Sequence, residues 1–183
     1  MIKVTESHEP INLETIKSFE ELIQARLPEK YKEWLLKYNG GHPTPNVYKL
    51  LEPINEKNDE ISVVWFYALY DGQISSLINE FKYSRDRLPN EFIPIAYDYG
   101  GVTCIGIKGE EYGKLYYWTT NWSIWSEEEF NTLYFIADSF EEFINGLYER
   151  EWDDNYKYCT KKYQDGTVVI EDENHNIIKT YKE

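Results

Sequence analysis

Cysteine is scarce in this sequence. Cys104 and Cys159 are the only two, and they stand far apart. They provide no disulfide framework of the kind that staples small secreted domains, so two free thiols in a cytoplasmic protein are expected. Histidine is almost as rare. His8, His42 and His175 share no metal-ligand spacing with one another or with the cysteines, which argues against a zinc site. Basic residues are outnumbered, 19 Lys and Arg against 33 Asp and Glu, for a formal net charge of −14. Nucleic-acid binding needs lysine and arginine to displace counterions, and an anionic membrane surface makes the same demand, so both partners are excluded. Long apolar runs are missing too. The longest, VVWFYALY from Val63 to Tyr70, falls well short of the roughly 20 residues that span a bilayer. The opening MIKVTESHEP has no basic start followed by an apolar core, so it is not read as a signal peptide.

Aromatic residues, by contrast, are abundant. They make up 17% of the 183 residues and include 17 tyrosines, while 42% of the chain is hydrophobic. One domain with a well-formed core is expected. So many tyrosine hydroxyls cannot all be buried with partners, and exposed tyrosine and tryptophan favour protein contacts. The negative charge serves solubility, and it would also draw in a basic protein by long-range attraction.

Periodicity gives the elements. Ile16, Phe19, Ile23 and Leu27 recur at helical spacing behind Asn12, a good N-cap. In LPEKYKEWLLKYNGG, Pro28 suits a first helical turn, and Tyr31, Trp34, Leu35 and Tyr38 form one apolar face. Asn39-Gly40-Gly41 then stops the helix, and the chain is expected to leave as a loop through Pro43 and Pro45. Residues 61–69 read as a central strand, apolar on both faces. Ile74, Leu77, Ile78 and Phe81 mark a short helix. LPNEFIPIAYDYGGVTCIGI reads as strand, turn at 98–101, and strand, followed by strands over 114–119 and 131–137. Ser139 and Glu142 form a capping box ahead of Phe140, Phe143, Ile144 and Leu147. An acidic stretch and a β-meander from about Tyr156 close the chain. Strands joined by short turns imply an α+β fold with a largely antiparallel sheet. Residues 1–150 are assigned to this unit, and 151–183 to a C-terminal β extension of the same domain.

The stretch KYNGGHPTPN is the obvious candidate for chemistry. Its glycines follow a helix, however, and a phosphate cradle needs glycines that lead into a helix N-terminus. A helix stop is the better reading. His42 could act as a catalytic base oriented by Asp98, although nothing in the sequence brings the two together. No G-x-S-x-G elbow is present, and Cys104 lies in an apolar strand, as a small buried hydrophobe would. No catalytic residue, metal ligand or cofactor is assigned. Glu127, Glu128 and Glu129 beside Trp122 and Trp125 could be a solvated face, or an interface with aromatic anchors for a basic partner. A second such patch surrounds Trp152, with Glu149, Glu151, Asp153 and Asp154. The acids match no calcium-loop pattern.

Four blocks taken together resemble the SUKH superfamily, in its Smi/Knr-type branch. The first comprises Leu27, Pro28, Tyr31, Trp34, Leu35, Asn39, Gly40, Gly41 and Pro43. The second comprises Leu88, Pro89, the run from Ile93 to Ala96, Asp98, Gly100, Gly101 and Cys104. The third runs from Gly113 to Trp118, and the fourth from Ile136 to Phe140 with Phe143. The resemblance covers about Asn12 to Leu147, and the tail beyond Tyr156 departs from it. It implies a non-catalytic α+β protein. Bacterial relatives are commonly cytoplasmic immunity proteins that neutralise a toxin, often a nuclease, by binding it. Fungal relatives are regulatory scaffolds of cell-wall assembly. The expected partner is a cognate, basic toxin, contacted through Trp122, Trp125, Glu127, Glu128, Glu129, Trp152, Asp153 and Asp154. Oligomeric state is left open.

Overall fold

The structure is a computed structural model that describes residues 2–54, 59–120, 131–152 and 157–183. Strand β1 (Lys3–Thr5) leads to helices α1 (Leu13–Ile23) and α2 (Glu29–Tyr38). Four short strands follow: β2 (His42–Thr44), β3 (Val47–Lys49), β4 (Glu60–Ser62) and β5 (Trp65–Phe66). Helix α3 (Leu77–Ser84) precedes the hairpin β6 (Phe92–Asp98) and β7 (Gly101–Gly106). Then come β8 (Leu115–Thr120), β9 (Asn131–Ala137) and helix α4 (Phe140–Gly146). Strands β10 (Tyr148–Trp152), β11 (Tyr158–Tyr163), β12 (Thr167–Asp172) and β13 (Ile177–Lys182) complete the chain.

Three antiparallel sheets result. One has the order β5-β6-β7-β8-β9, a second β13-β12-β11-β10-β3-β4, and β1 pairs with β2. The expected α+β class with antiparallel pairing holds, and the C-terminal meander is present. Its neighbourhood adds a correction. The first part of the acidic stretch after α4, up to Trp152, is a strand, β10, which joins the meander to β3 and β4 in one six-stranded sheet.

The first helix starts where its cap predicts. The Asn12 side chain accepts a hydrogen bond from the Thr15 N–H at 3.0 Å, replacing one bond that the first turn cannot make internally. It ends earlier than the periodicity suggests, with Gln24 in the left-handed conformation. Leu27 is buried all the same, reached by the loop rather than the helix. The Leu27 N–H donates to the buried Glu20 carboxylate at 2.9 Å, and Arg26 pairs with the same carboxylate at 2.6 Å. Pro28 is the N-cap of α2, one position ahead of its first turn.

Trp34 anchors the core. Its ring centroid lies 4.8 Å from Phe66 and 5.6 Å from Phe140, tying α2 to β5 and α4. Such aromatic pairs are each worth about 0.5–1.5 kcal/mol beyond the area they bury. The core continues through Ile16, Phe19, Tyr31 and Leu35 onto Ile93, Ile95, Ile105 and Leu115 of the five-stranded sheet.

Three further expectations are corrected. The exit from α2 is a loop only in part, because Pro43 lies within β2, opposite Val4, while Pro45 lies in the bend between β2 and β3. Residues 61–69 are not one central strand. They divide into β4 and β5, each at an edge of a different sheet, with Val63 buried where the chain crosses over. A crossover between two packed sheets is buried on every side, which gives the same apolar run as a central strand. Ile74, finally, precedes α3 and is 81% exposed. Ser76 caps that helix by accepting from the Asn79 N–H at 3.2 Å.

Candidate functional site: an acidic aromatic cleft

Asn39 does more than stop α2. It is 1% exposed and adopts a left-handed φ of 45°. Its side-chain oxygen accepts from the Leu69 N–H at 2.7 Å, and its amide nitrogen donates to the Glu9 carbonyl at 2.7 Å. Three separate segments thus meet at one side chain. Gly40 and Gly41 follow with φ of 87° and 100°. A Cβ on Gly40 would stand 2.8 Å from Ala68 Cβ, and one on Gly41 would stand 2.6 Å from the Thr5 carbonyl. Glycine is required here both by the dihedral and by the space. The stop also places β5. Gly41 and Phe66 exchange backbone hydrogen bonds of 3.2 and 2.8 Å.

On the other side of β5 opens a cleft of about 770 Å³, bounded by α3 and the β6–β7 hairpin. Its aromatic lining includes Trp65, Tyr67, Tyr83, Tyr97, Tyr99 and Trp118. Trp65 and Tyr97 are cross-strand partners, stacked with centroids 4.3 Å apart and planes 17° from parallel. Tyr99 lies edge-on to Tyr97 at 6.1 Å and is exposed. The hairpin is tight because Gly101 permits it. A Cβ there would meet the Trp118 carbonyl at 2.4 Å.

Two carboxylates line the same space, Asp98 from the hairpin and Glu80 from α3. Asp98 accepts from the Ser62 N–H at 3.1 Å, from the Tyr99 N–H at 2.6 Å and from the Tyr117 hydroxyl at 3.2 Å. Burial nevertheless holds its pKa above the ordinary carboxylate value, against the lowering effect of these donors. Burial raises Glu80 in the same way, with no donor among the described residues opposing it. Arg87 lines the cleft as well, with its guanidinium 5.1 Å from the Trp118 ring centroid. The net result is a concave surface of flat rings and incompletely compensated negative charge.

Five residues of the second and third sequence blocks, Pro94, Asp98, Gly100, Gly101 and Trp118, line this cleft. Leu27, Pro28, Trp34, Asn39, Gly40 and Gly41 instead build the helical layer and the turn behind it. The proposed pairing of His42 with Asp98 does not occur. His42 Nε2 faces Glu6 at 3.5 Å, and its ring lies 6.1 Å from Trp65. The acceptor positions of Asp98 are taken by the hairpin and by Ser62. Trp152 ends β10 and is 38% exposed. Trp122, Trp125, Glu127, Glu128, Glu129, Asp153 and Asp154 lie outside the described residues. Among the described residues no group of His, Cys, Asp and Glu could hold a metal ion. Both cysteines are buried free thiols, and burial raises the Cys104 pKa far above its usual range.

Sequence reasoning overlooked Glu80, Tyr83 and Arg87. Their spacing on and after α3 put them on the face away from the apolar stripe, where they looked like ordinary solvated positions. The alternation of Tyr97 and Tyr99 about Asp98 was the available signal.

Fold and cleft together define an α+β protein with an antiparallel scaffold and an acidic, ring-lined recess at one end of a sheet. The chain belongs to the SMI1 / KNR4 family (SUKH-1), whose profile matches residues 10–146. It is also similar to the SPbeta prophage-derived uncharacterized protein YokK of Bacillus subtilis (strain 168). The two are 31% identical over 172 residues, covering 86% of this chain and 82% of that relative. No helix among the described residues is long and apolar enough to cross a membrane.

Proposed function

We propose that this protein is a cytoplasmic immunity protein, which neutralises a cognate toxin by binding it without catalysis. The observation that carries the reading is the cleft, acidic and aromatic, in a chain of net charge −14. Membership of the SUKH-1 family supports it, since bacterial relatives commonly serve this role, and a prophage-derived relative is compatible with it. A nuclease is the toxin class that fits best. Its active cleft must attract phosphate and is therefore basic, so an acidic surface both speeds encounter and occludes the substrate path. The contact surface comprises the cleft together with the Trp122–Trp125–Glu127–Glu128–Glu129 segment and the Trp152–Asp153–Asp154 patch. Exposed rings supply the anchors and the carboxylates supply orientation.

The test is co-expression with the toxin encoded beside this gene. A stable complex, protection of the host and an association rate that falls steeply with salt are expected. Absence of both complex and protection overturns the proposal.

A further inference from the structure

We infer that the cleft between α3 and the β6–β7 hairpin receives an arginine side chain of the protein partner. In this arrangement Glu80 accepts hydrogen bonds from the guanidinium and Asp98 adds its negative charge, while the Trp65–Tyr97 stack provides a flat wall. The inference rests on the reading that a basic protein is the partner, and it names the chemistry of the contact.

Three observations lead to it. The first is an unmet charge. Among the described residues no cation or hydrogen-bond donor meets the Glu80 carboxylate, although burial alone acts to raise its pKa. A half-buried carboxylate without a partner is costly, and an incoming cation removes that cost. The second is shape. The recess holds about 770 Å³, ample for one long side chain, and rings contribute much of its lining beside Ile74, Pro94 and Val102. The third is an internal precedent. Arg87 already lays its guanidinium against Trp118 in this same recess.

Arginine is favoured over lysine by geometry. A guanidinium is planar, stacks on aromatic faces and presents donors along its edges, so it can serve a carboxylate and a ring together. An ammonium is a compact point charge that holds its water more strongly. Asp98 keeps its donors Ser62, Tyr99, Gly100 and Tyr117 in this scheme, which fill the roughly four acceptor directions of a carboxylate, and it attracts the guanidinium by charge.

The experiment uses the full chain and the peptide N-acetyl-Gly-Arg-Gly-amide, with lysine and citrulline versions for comparison. Assigned indole N–H resonances of Trp65 and Trp118 report binding. Saturable shifts at these two indoles are expected with a Kd on the order of 1 mM, as suits a single side chain. The lysine peptide should bind more weakly, and the uncharged citrulline peptide at least about tenfold more weakly. Glu80→Gln should lower arginine-peptide affinity by a factor of about ten while leaving the fold intact, since among the described residues its side chain has no hydrogen-bond partner. Equal binding of the citrulline peptide, an unaffected Glu80→Gln variant, or silence of both indoles at saturating peptide would overturn the inference. Its fate is separable from that of the immunity reading. A toxin complex of unchanged affinity with Glu80→Gln removes the arginine contact and keeps the immunity function. Peptide binding as described, without protection against the toxin, does the reverse.

Discussion

Lys161 Nζ lies 2.6 Å from Glu60 Oε1, so that a strand from the C-terminal meander is tied by charge to β4, beyond the intervening β10 and β3. The lysine side chain is 2% exposed and the glutamate 9%. Lys161 also meets Glu171 Oε2 at 2.9 Å, while Tyr148 and Arg150 hydrogen-bond to Glu60. Burial tends to raise the Glu60 pKa, but Lys161 and Tyr148 outweigh it, and the net shift is downward.

Removing the lysine alone leaves two buried carboxylates facing each other. Lys161→Met is expected to cost about 3–5 kcal/mol in urea unfolding, whereas the triple change Lys161→Met, Glu60→Gln, Glu171→Gln recovers most of that loss. The sign with pH follows from Glu60. Its folded pKa lies below the usual glutamate value of 4.5, so its contribution is present above that value and is lost as pH falls through the folded pKa. A native midpoint that does not fall in acid would contradict this.

Glu80 works in the opposite sense. Its folded pKa lies above 4.5, so the protonated form is favoured by folding. Its contribution is greatest below the unfolded pKa and is lost as pH rises through the folded one. Glu80→Gln is therefore expected to raise the urea midpoint at pH 7 slightly, by no more than about 0.5 kcal/mol, and to have no such effect near pH 3. Stability gained together with binding lost is the signature of a residue kept for contact.

Gly40 and Gly113 share a φ of 87° but differ in surroundings. A Cβ at Gly113 meets nothing within 4 Å, whereas at Gly40 it meets Ala68 side chain and backbone at 2.8–3.0 Å. Gly113→Ala should cost about 1 kcal/mol from the dihedral alone. Gly40→Ala should cost about 1–3 kcal/mol more, from forced displacement of β5 and its neighbours. Equal unfolding midpoints for the two variants would refute the packing argument.

Cys104 and Cys159 are buried, and burial raises both thiol pKa values. A thiol reagent added to the native protein at pH 8 should react with neither over minutes, and with both once the chain is unfolded.

Much of the scaffold could be read directly from the chain. Asn12 and Ser139 mark helix starts through side-chain oxygens that act within three residues, and the hairpin at 98–101 is equally local. The cleft was half legible. Asp98, Gly100, Gly101 and Trp118 stood out, but Glu80 looked like one more acid among 33, since only α3 packing on β6 brings it to the recess that Asp98 lines. Lys161 shows the same limit. Its neighbours in sequence mark a polar strand, and nothing near it announces that Glu60 will bury it.

Composition alone determined the negative charge and the wealth of rings, because these depend on residue counts and not on position. Local pattern determined the helices, their caps and the Asn39–Gly41 stop, because caps and left-handed turns are set by contacts a few residues apart. Only the tertiary structure decided that the apolar run at 61–69 divides between two sheets, and that Glu80 and Asp98 face one recess. Both depend on pairings between residues distant along the chain, which burial and hydrogen-bond demand resolve together rather than one segment at a time.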